Sequence, residues 1–334
     1  PPRPQLHGAG AGLSRTLPAA LRAGIEALAG AFPGRDLAAA SARLSDDYRS
    51  GRGTRLPAPV DVAAYAVARM PATYAAAAEA LSEAAGRTDY APCSLLDVGA
   101  GPGTASWAAL EAFPSLRTAR LVDGHAGMMA TGRELAARGP ETLADAVWTT
   151  RRLDSLADDD RADLVVASYA LNELDPSEAA RRAADLYARC GGLLVLVEPG
   201  SRSGYAVIAG ARSAIVAMGG RIVAPCPSDG PCPMAGPDWC HFAVRLPRLR
   251  AHRAAKGADL PFEDEPFSYL VAARPGIAIR PAAERILKPP QAAKPGTTFA
   301  LCTAQGLESR FVPVRDRDAY RATRRLGWGD AMPA

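Results

Sequence analysis

Three cysteines, Cys226, Cys232 and Cys240, fall within PCPSDGPCPMAGPDWCHF, residues 225 to 242. That stretch is too rich in proline, glycine and aspartate for an amphipathic helix or an alternating strand, so burial in a core does not account for the thiols. Thiolates converging from a proline-stiffened loop can instead hold a soft metal centre. Disulfides are not expected in a reducing cytoplasm. The C-x5-C-x7-C spacing is wider than the gaps of most zinc knuckles. A fourth ligand is needed, and three cysteines remain. Cys93 at the first sheet strand and Cys190 at a helix end read as small buried hydrophobes. Cys302, in FALCTAQG, is the expected closing ligand, with His241 as its substitute.

A second constellation is LLDVGAGPGT, residues 95 to 104, where Asp97, Gly99, Gly101 and Gly103 form D-x-G-x-G-x-G between a predicted strand and a predicted helix. Glycines permit a sharp turn and close backbone approach to a ligand. The helix N-terminus beyond them offers free N–H groups to an anion. A glycine loop alone also suits a dinucleotide or a plain structural turn. However, the spacing lacks the G-x-x-G ending of the nicotinamide fingerprint. A second acid, Asp123 in LVDG, ends the next strand, where it can accept ribose hydroxyls. The pattern resembles the S-adenosylmethionine site of class I methyltransferases. On that resemblance Gly99, Gly101 and Gly103 back the methionine end, Asp123 takes the ribose and Asp154 lies near the adenine. Methyl transfer to an acceptor would fall to Tyr169, Asn172 and Glu173 in SYALNEL. The base-gripping [N/D]-P-P-[Y/F] and a Pro-Cys nucleophile are absent there. Those three residues read equally well as helix-capping and pocket-lining groups. The cysteine spacing of radical enzymes is missing too, so reductive cleavage of the cofactor is not expected.

These residues require a sheet to position them. Short apolar runs, SLLDVG, ARLVDG, ADLVVASYA and GLLVLVEPG, alternate with stretches of helical length from about residue 92. That alternation predicts a doubly wound, Rossmann-like α/β sheet with strands buried on both faces. Residues 1–90 read as a helical region behind a flexible start. Residues 91–224 read as the cofactor-binding domain. Residues 225–334 hold the cysteine loop, FSYLVAAR as a late strand, a β-rich segment and a basic end.

The chain has 334 residues, of which 48% are apolar, ample for a core. No apolar run approaches bilayer length and no leader is evident, so a soluble, cytoplasmic, monomeric protein is expected, with no membrane partner. The net charge of +4 is uneven: residues 91–240 carry 13 basic and 18 acidic side chains, residues 241–334 carry 16 and 9. Arg245, Arg248, Arg250, Arg253 and Lys256 follow the cysteine loop; Arg310, Arg315, Arg317, Arg321, Arg324 and Arg325 follow Cys302. If a metal joins those segments, Arg245, Arg248, Arg250, Arg253, Arg321, Arg324 and Arg325 are the expected RNA-phosphate contacts.

The order LLDVGAGPGT, LNEL, VEPGSRSG, C-x5-C-x7-C, FSYLVAAR, a distant cysteine and a terminal WGD resembles the methyltransferase-like family of small-ribosomal-subunit-associated proteins, known in mitochondria and with bacterial members. Cys226 and Cys232 each precede proline, as near ferredoxin-type clusters. The resemblance implies a 4Fe-4S cluster on Cys226, Cys232, Cys240 and Cys302, and action on the small subunit and its rRNA. Zinc and unmetallated thiols remain the alternatives. At the level of function the alternatives are a non-catalytic assembly factor and a zinc-containing small-molecule methyltransferase.

Overall fold

A computed structural model describes residues 16–49, 56, 58–234, 237–248 and 262–333. Most of the expected flexible start lies outside these residues. The chain opens with α1 (Ala19–Gly30), α2 (Gly34–Arg49), α3 (Pro59–Ala68) and α4 (Met70–Gly86). It then alternates through β1 (Ser94–Val98), α5 (Thr104–Ala112), β2 (Thr118–Asp123), α6 (Ala126–Ala136), α7 (Glu141–Ala144) and β3 (Val147–Thr150). Next come β4 (Ala162–Ser168), α8 (Pro176–Arg189), β5 (Cys190–Pro199), α9 (Arg202–Ala217), β6 (Arg221–Ala224), β7 (Phe242–Pro247) and β8 (Phe262–Ala273). β9 (Glu284–Ile286), β10 (Gln291–Ala293), β11 (Gly296–Thr303), β12 (Gly306–Pro313) and α10 (Arg317–Thr323) complete it.

The main sheet runs β3-β2-β1-β4-β5-β8-β6, with β7 paired to β8. β1 to β5 are parallel; β8 runs antiparallel to β5, β6 and β7. This is the doubly wound, Rossmann-like sheet expected from the sequence. Strand order reverses between β1 and β4, and the crevice beyond their C-terminal ends is where such sheets receive ligands. The continuous apolar runs arise because alternate residues serve two cores. Leu164, Val166, Leu193, Val195 and Val197 face the core built with α1–α5, while Val165, Ala167, Leu194 and Leu196 face the one built with α8 and α9. A smaller sheet, β10-β11-β12 with β9 on β11, has its own core around Ile286, Phe299 and Leu301.

Several expectations shift. VDVAAYAVARMPATY reads as one helix, yet it breaks at Arg69, between α3 and α4. Pro71 has no N–H to donate to the preceding turn but is tolerated at the start of a new helix. β7 hides within the basic run, although its Phe242, Val244 and Leu246 alternate inward. Cys93 is exposed, contrary to the buried role expected of it; it precedes β1, and its N–H donates to Asp163 Oδ2 at 2.9 Å. Cys190 is buried, at the start of β5.

Arg285, on β9, is 1% exposed and ties distant segments together. Its Nε donates to Pro225 O at 3.1 Å, Nη1 to Gly329 O at 2.6 Å and Nη2 to Glu83 Oε2 on α4 at 2.6 Å. Burial pushes the Glu83 carboxyl up, but Arg285 and then Arg87 outweigh it and hold the group below the usual glutamate range. A carboxyl with a depressed folded pKa contributes stability above its unfolded pKa and loses it as pH falls through the folded value. Arg285→Met should therefore cost about 2–4 kcal/mol near neutral pH in chemical denaturation, since removing one partner strands the other. The deficit should shrink in acid below the ordinary glutamate pKa; a deficit independent of pH would contradict the ion pair's role.

Candidate functional sites

The first site is a cavity of about 690 Å³ at the switch point, lined by Asp97, Gly99, Gly101, Asp123, Asp154, Tyr169 and Glu173, among others. Gly99 has φ +68°, and a Cβ there would come within 2.4 Å of the Ala170 methyl, so the loop after β1 accepts only glycine at this point. Gly103 does not line the cavity. It caps α5 in the left-handed region at φ +80°, and a Cβ there would strike the Trp148 ring at 2.8 Å. Its place in the motif is thus a packing requirement, where direct backing of a ligand was expected.

Asp123 Oδ2 accepts from Gly101 N at 2.8 Å and Oδ1 from His125 N at 2.7 Å. These bonds orient the carboxylate, and each oxygen keeps a second lone pair for a ligand hydroxyl. Asp97 is buried; its Oδ2 accepts from Ser106 Oγ at 2.6 Å while Oδ1 has no partner. Burial raises the Asp97 carboxyl to about 7, against the Ser106 bond and with some help from the Asp123 charge. Asp154 lies at the cavity edge in an ion pair with Arg152 at 3.1 Å.

The loop after β4 is held from below. Glu198, at the end of β5, is fully buried, and its Oε1 accepts from Leu171 N at 2.8 Å. Burial outweighs the backbone N–H groups and lifts Glu198 to about 8. Tyr169 takes φ +58°, and its hydroxyl donates to Glu265 Oε1 at 2.9 Å, which also accepts from Arg69 at 3.3 Å. Asn172 is not among the lining residues, so the expected trio is reduced at the cavity wall to Tyr169 and Glu173. The N-terminal helices supply what sequence reasoning missed. Tyr65 of α3, Thr73 of α4 and Leu56 close one side, and His125 Nε2 donates to Leu56 O at 3.3 Å while its Nδ1 accepts from Met128 N. The signal for Tyr65 was its helical repeat with the α3 core positions, which gives a face but no target.

The second site is a cavity of about 260 Å³ lined by Cys226, Cys232, Cys240 and Cys302 together. The loop between β6 and β7 brings the first three. β11 brings Cys302, which stands opposite Arg285 of β9 in the ladder. His241 does not line the cavity; its ring lies against Trp239 at 5.1 Å and Trp328 at 4.9 Å. Among the described residues, no three His, Cys, Asp or Glu side chains converge as they would on one metal ion. The thiols instead stand around a space. Burial raises Cys302 to about 11, with the Cys226 and Cys232 charges adding and Arg212 and Arg285 drawing the other way. Arg212 of α9 is 6% exposed; its Nη2 donates to Ser228 O at 2.8 Å and also to Gly230 O, and its Nε is buried without a partner. The Tyr205 hydroxyl lies 3.4 Å from Cys232 Sγ. Thiol donors around one cavity, with an unsatisfied guanidinium N–H at its wall, fit an anionic, sulfur-ligated group.

The basic residues divide. Arg245 is paired to Asp264 at 2.7 Å, its register partner on β8, and Arg248 lies 3.4 Å from Glu263. Arg321 is 3.6 Å from Asp318, and Arg324 and Arg325 are exposed at the end of α10. Arg250, Arg253 and Lys256 lie outside the described residues.

Asp97 generates a pH test. A carboxyl whose folded pKa is raised favours the fold fully below its unfolded pKa, and that contribution is lost as pH rises through about 7. Asp97→Asn should therefore flatten the decline in ligand-free stability between acid and pH 8, gaining on the order of 1–3 kcal/mol at the alkaline end. Parallel stability curves for the two proteins would contradict a protonated, buried Asp97.

The chain is similar to the human ribosome assembly protein METTL17, mitochondrial, at 28% identity over 80% of this chain and 62% of the relative. It is also similar to the fission-yeast Rsm22-cox11 tandem protein 2, mitochondrial, at 26% identity over 84% of this chain and 44% of the relative. It thus spans less than two thirds of either. Among solved structures it resembles Synechocystis magnesium protoporphyrin IX methyltransferase with bound SAM, at TM-score 0.40 and 15% identity over 69% of this chain and 90% of that one. A putative RNA methyltransferase from Pyrococcus horikoshii gives 0.39 and 13% over 60% and 84%. The decisive match is to a family model, that of the mitochondrial small ribosomal subunit protein Rsm22, which covers residues 59–333 and with them the four-cysteine cavity and all of the first cavity's lining but Leu56. The chain belongs to the Rsm22 family.

Proposed function

We propose that this protein binds S-adenosylmethionine, carries a 4Fe-4S cluster on Cys226, Cys232, Cys240 and Cys302, and acts on the small ribosomal subunit, as an rRNA methyltransferase or an assembly factor. The observation that carries it is the shared cavity of four cysteines drawn from two distant segments, beside a methyltransferase-type sheet. A single zinc ion would need sulfurs gathered to one point at bonds of about 2.3 Å. Thiols set around a space favour a multi-atom cluster, which carries its own bridging sulfur.

At the first site, S-adenosylmethionine would supply an electrophilic methyl group on a sulfonium. Gly99 and Gly101 give its methionine end room, Asp123 accepts from the ribose, and Asp154 with Arg152 borders the adenine. Asp97, raised to about 7 and so protonated in part near neutral pH, would donate in its protonated form to the ligand through an oxygen that has no protein partner. Burial raises the Tyr65 hydroxyl pKa, so it stays protonated and serves as a hydrogen-bond donor, never as a base. Transfer would then suit an acceptor atom with its own lone pair, aligned by Tyr169 and Glu173.

A second reading, an assembly factor without methyl transfer, draws on two observations. Asn172 stands outside the cavity, and the Tyr169 hydroxyl is already given to Glu265. The partner, the small subunit and its rRNA, rests on the family and on the names of the relatives. Those names are mitochondrial, and the cytoplasmic setting expected from the sequence has no support from them; ribosome association is proposed without a compartment. Among the described residues no helix is long and apolar enough to cross a membrane.

Incubating anaerobically purified protein with labelled S-adenosylmethionine and immature small subunits tests the enzyme. Label in rRNA is expected; bound protein with no transfer would leave the assembly role alone. Gly101→Arg should lower affinity for S-adenosylhomocysteine about 100-fold or more by calorimetry, and unchanged affinity would remove the cofactor site. Cosedimentation with small subunits should fall steeply between about 50 and 200 mM salt. No cosedimentation at the lower salt would contradict the proposed partner.

A further inference from the structure

Arg212 presents an unusual balance. It is a buried cation whose fixed partners are two backbone carbonyls, Ser228 O and Gly230 O, both in the cysteine loop. No carboxylate is paired with it among the described residues. Its Nε–H is buried and unsatisfied, and the side chain lines the four-cysteine cavity. The other guanidinium at that cavity, Arg285, has all three nitrogens engaged and is balanced by Glu83. An unpaired charge and an orphaned donor in one buried group each cost free energy unless an anion completes them. The cavity that Arg212 lines, with the four cysteines around it, is where such an anion would sit.

We infer that Arg212 is the positioning residue of the cluster site: it pins the cysteine loop through Nη2 and gives its Nε–H and its charge to the thiolate-ligated group. This rests on the cluster reading above. Cys226 and Arg212 line the same cavity wall, so the guanidinium stands among the thiols it would serve. The Tyr205 hydroxyl, against Cys232, supplies a second, neutral donor from the same helix. A cluster held by four thiolates is net negative and gains one more negative charge on reduction, so a fixed cation beside it favours the reduced state. Arg212 would thereby raise the reduction potential and slow loss of iron.

The test compares anaerobically purified wild type, Arg212→Gln and Arg212→Lys by iron and sulfide content, chelator-driven iron loss and spectroelectrochemical midpoint. Arg212→Gln should lower the reduced-to-oxidised ratio at fixed potential about tenfold, a shift of 59 mV for one electron, and lose iron faster. Arg212→Lys, which keeps the charge, should remain within about threefold of wild type in that ratio. Equal midpoints for wild type and Arg212→Gln, both with full iron, overturn the inference and leave the cluster reading intact. Wild type that holds zinc or no iron overturns the cluster reading, and the inference with it. Should Arg212→Gln fail to fold, Arg212→Lys decides: loss of its cluster or a tenfold drop in the ratio overturns the role of the charge.

Discussion

The guanidinium of Arg285 is the constraint on which the C-terminal half depends. One buried side chain binds the start of the cysteine loop at Pro225, the terminal turn at Gly329 and the helical region at Glu83. Because Arg285 and Cys302 are ladder partners, fixing the arginine also fixes β11, and so fixes how far Cys302 stands from the loop. Lys288, just after β9, adds a surface ion pair to Asp238 of the loop at 2.6 Å, but Arg285 is the buried tie. Without it, a loop with little core of its own would be poorly fixed relative to the fourth thiol. A buried ion pair contributes little net stability, but it specifies geometry, and geometry is what a shared ligand set requires.

The two cavities are built on the same strands. At the end of β5, Glu198 holds the loop that carries Tyr169 over the first cavity. Two residues on, Gly200 O accepts from Trp239 Nε1 at 2.8 Å, beside Cys240. On β8, Glu265 receives the Tyr169 hydroxyl, and Ser268 Oγ donates to Cys240 O at 2.9 Å. The VEPGSRSG stretch is therefore a shared support, with one side toward the switch-point crevice and the other toward the thiols. That arrangement explains why α9, which begins there, carries both Tyr205 and Arg212 to the second cavity.

What could be read from the sequence followed from periodicity and punctuation. The strands of the parallel sheet, the glycine turn, Asp123 and the three loop cysteines all announce themselves locally, by runs, spacings and residue types. Cys302 was legible because the other two cysteines had plainer explanations, although the exposure of Cys93 shows how weak such elimination is. Arg285 and Arg212 were not legible. Each is one arginine among many in a chain rich in them, and only tertiary burial separates it from a solvated one. Gly103 and Asn172 matched a motif in position while serving packing or standing outside the cavity, because a motif records chain order and not the direction a residue faces. The break at Arg69 was signalled by Pro71, but its consequence, Arg69 reaching Glu265 on β8, is a long-range contact that no local rule contains.

The central claim is that sulfurs from the loop and from β11 share one polynuclear centre. Native mass spectrometry of protein kept free of oxygen measures this directly, because the mass of the intact fold identifies what it holds. The wild type is expected to carry the added mass of a single 4Fe-4S core, and Cys302→Ser is expected to stay folded and lose that mass. A zinc increment on the wild type, or an iron–sulfur increment unchanged in Cys302→Ser, would contradict it.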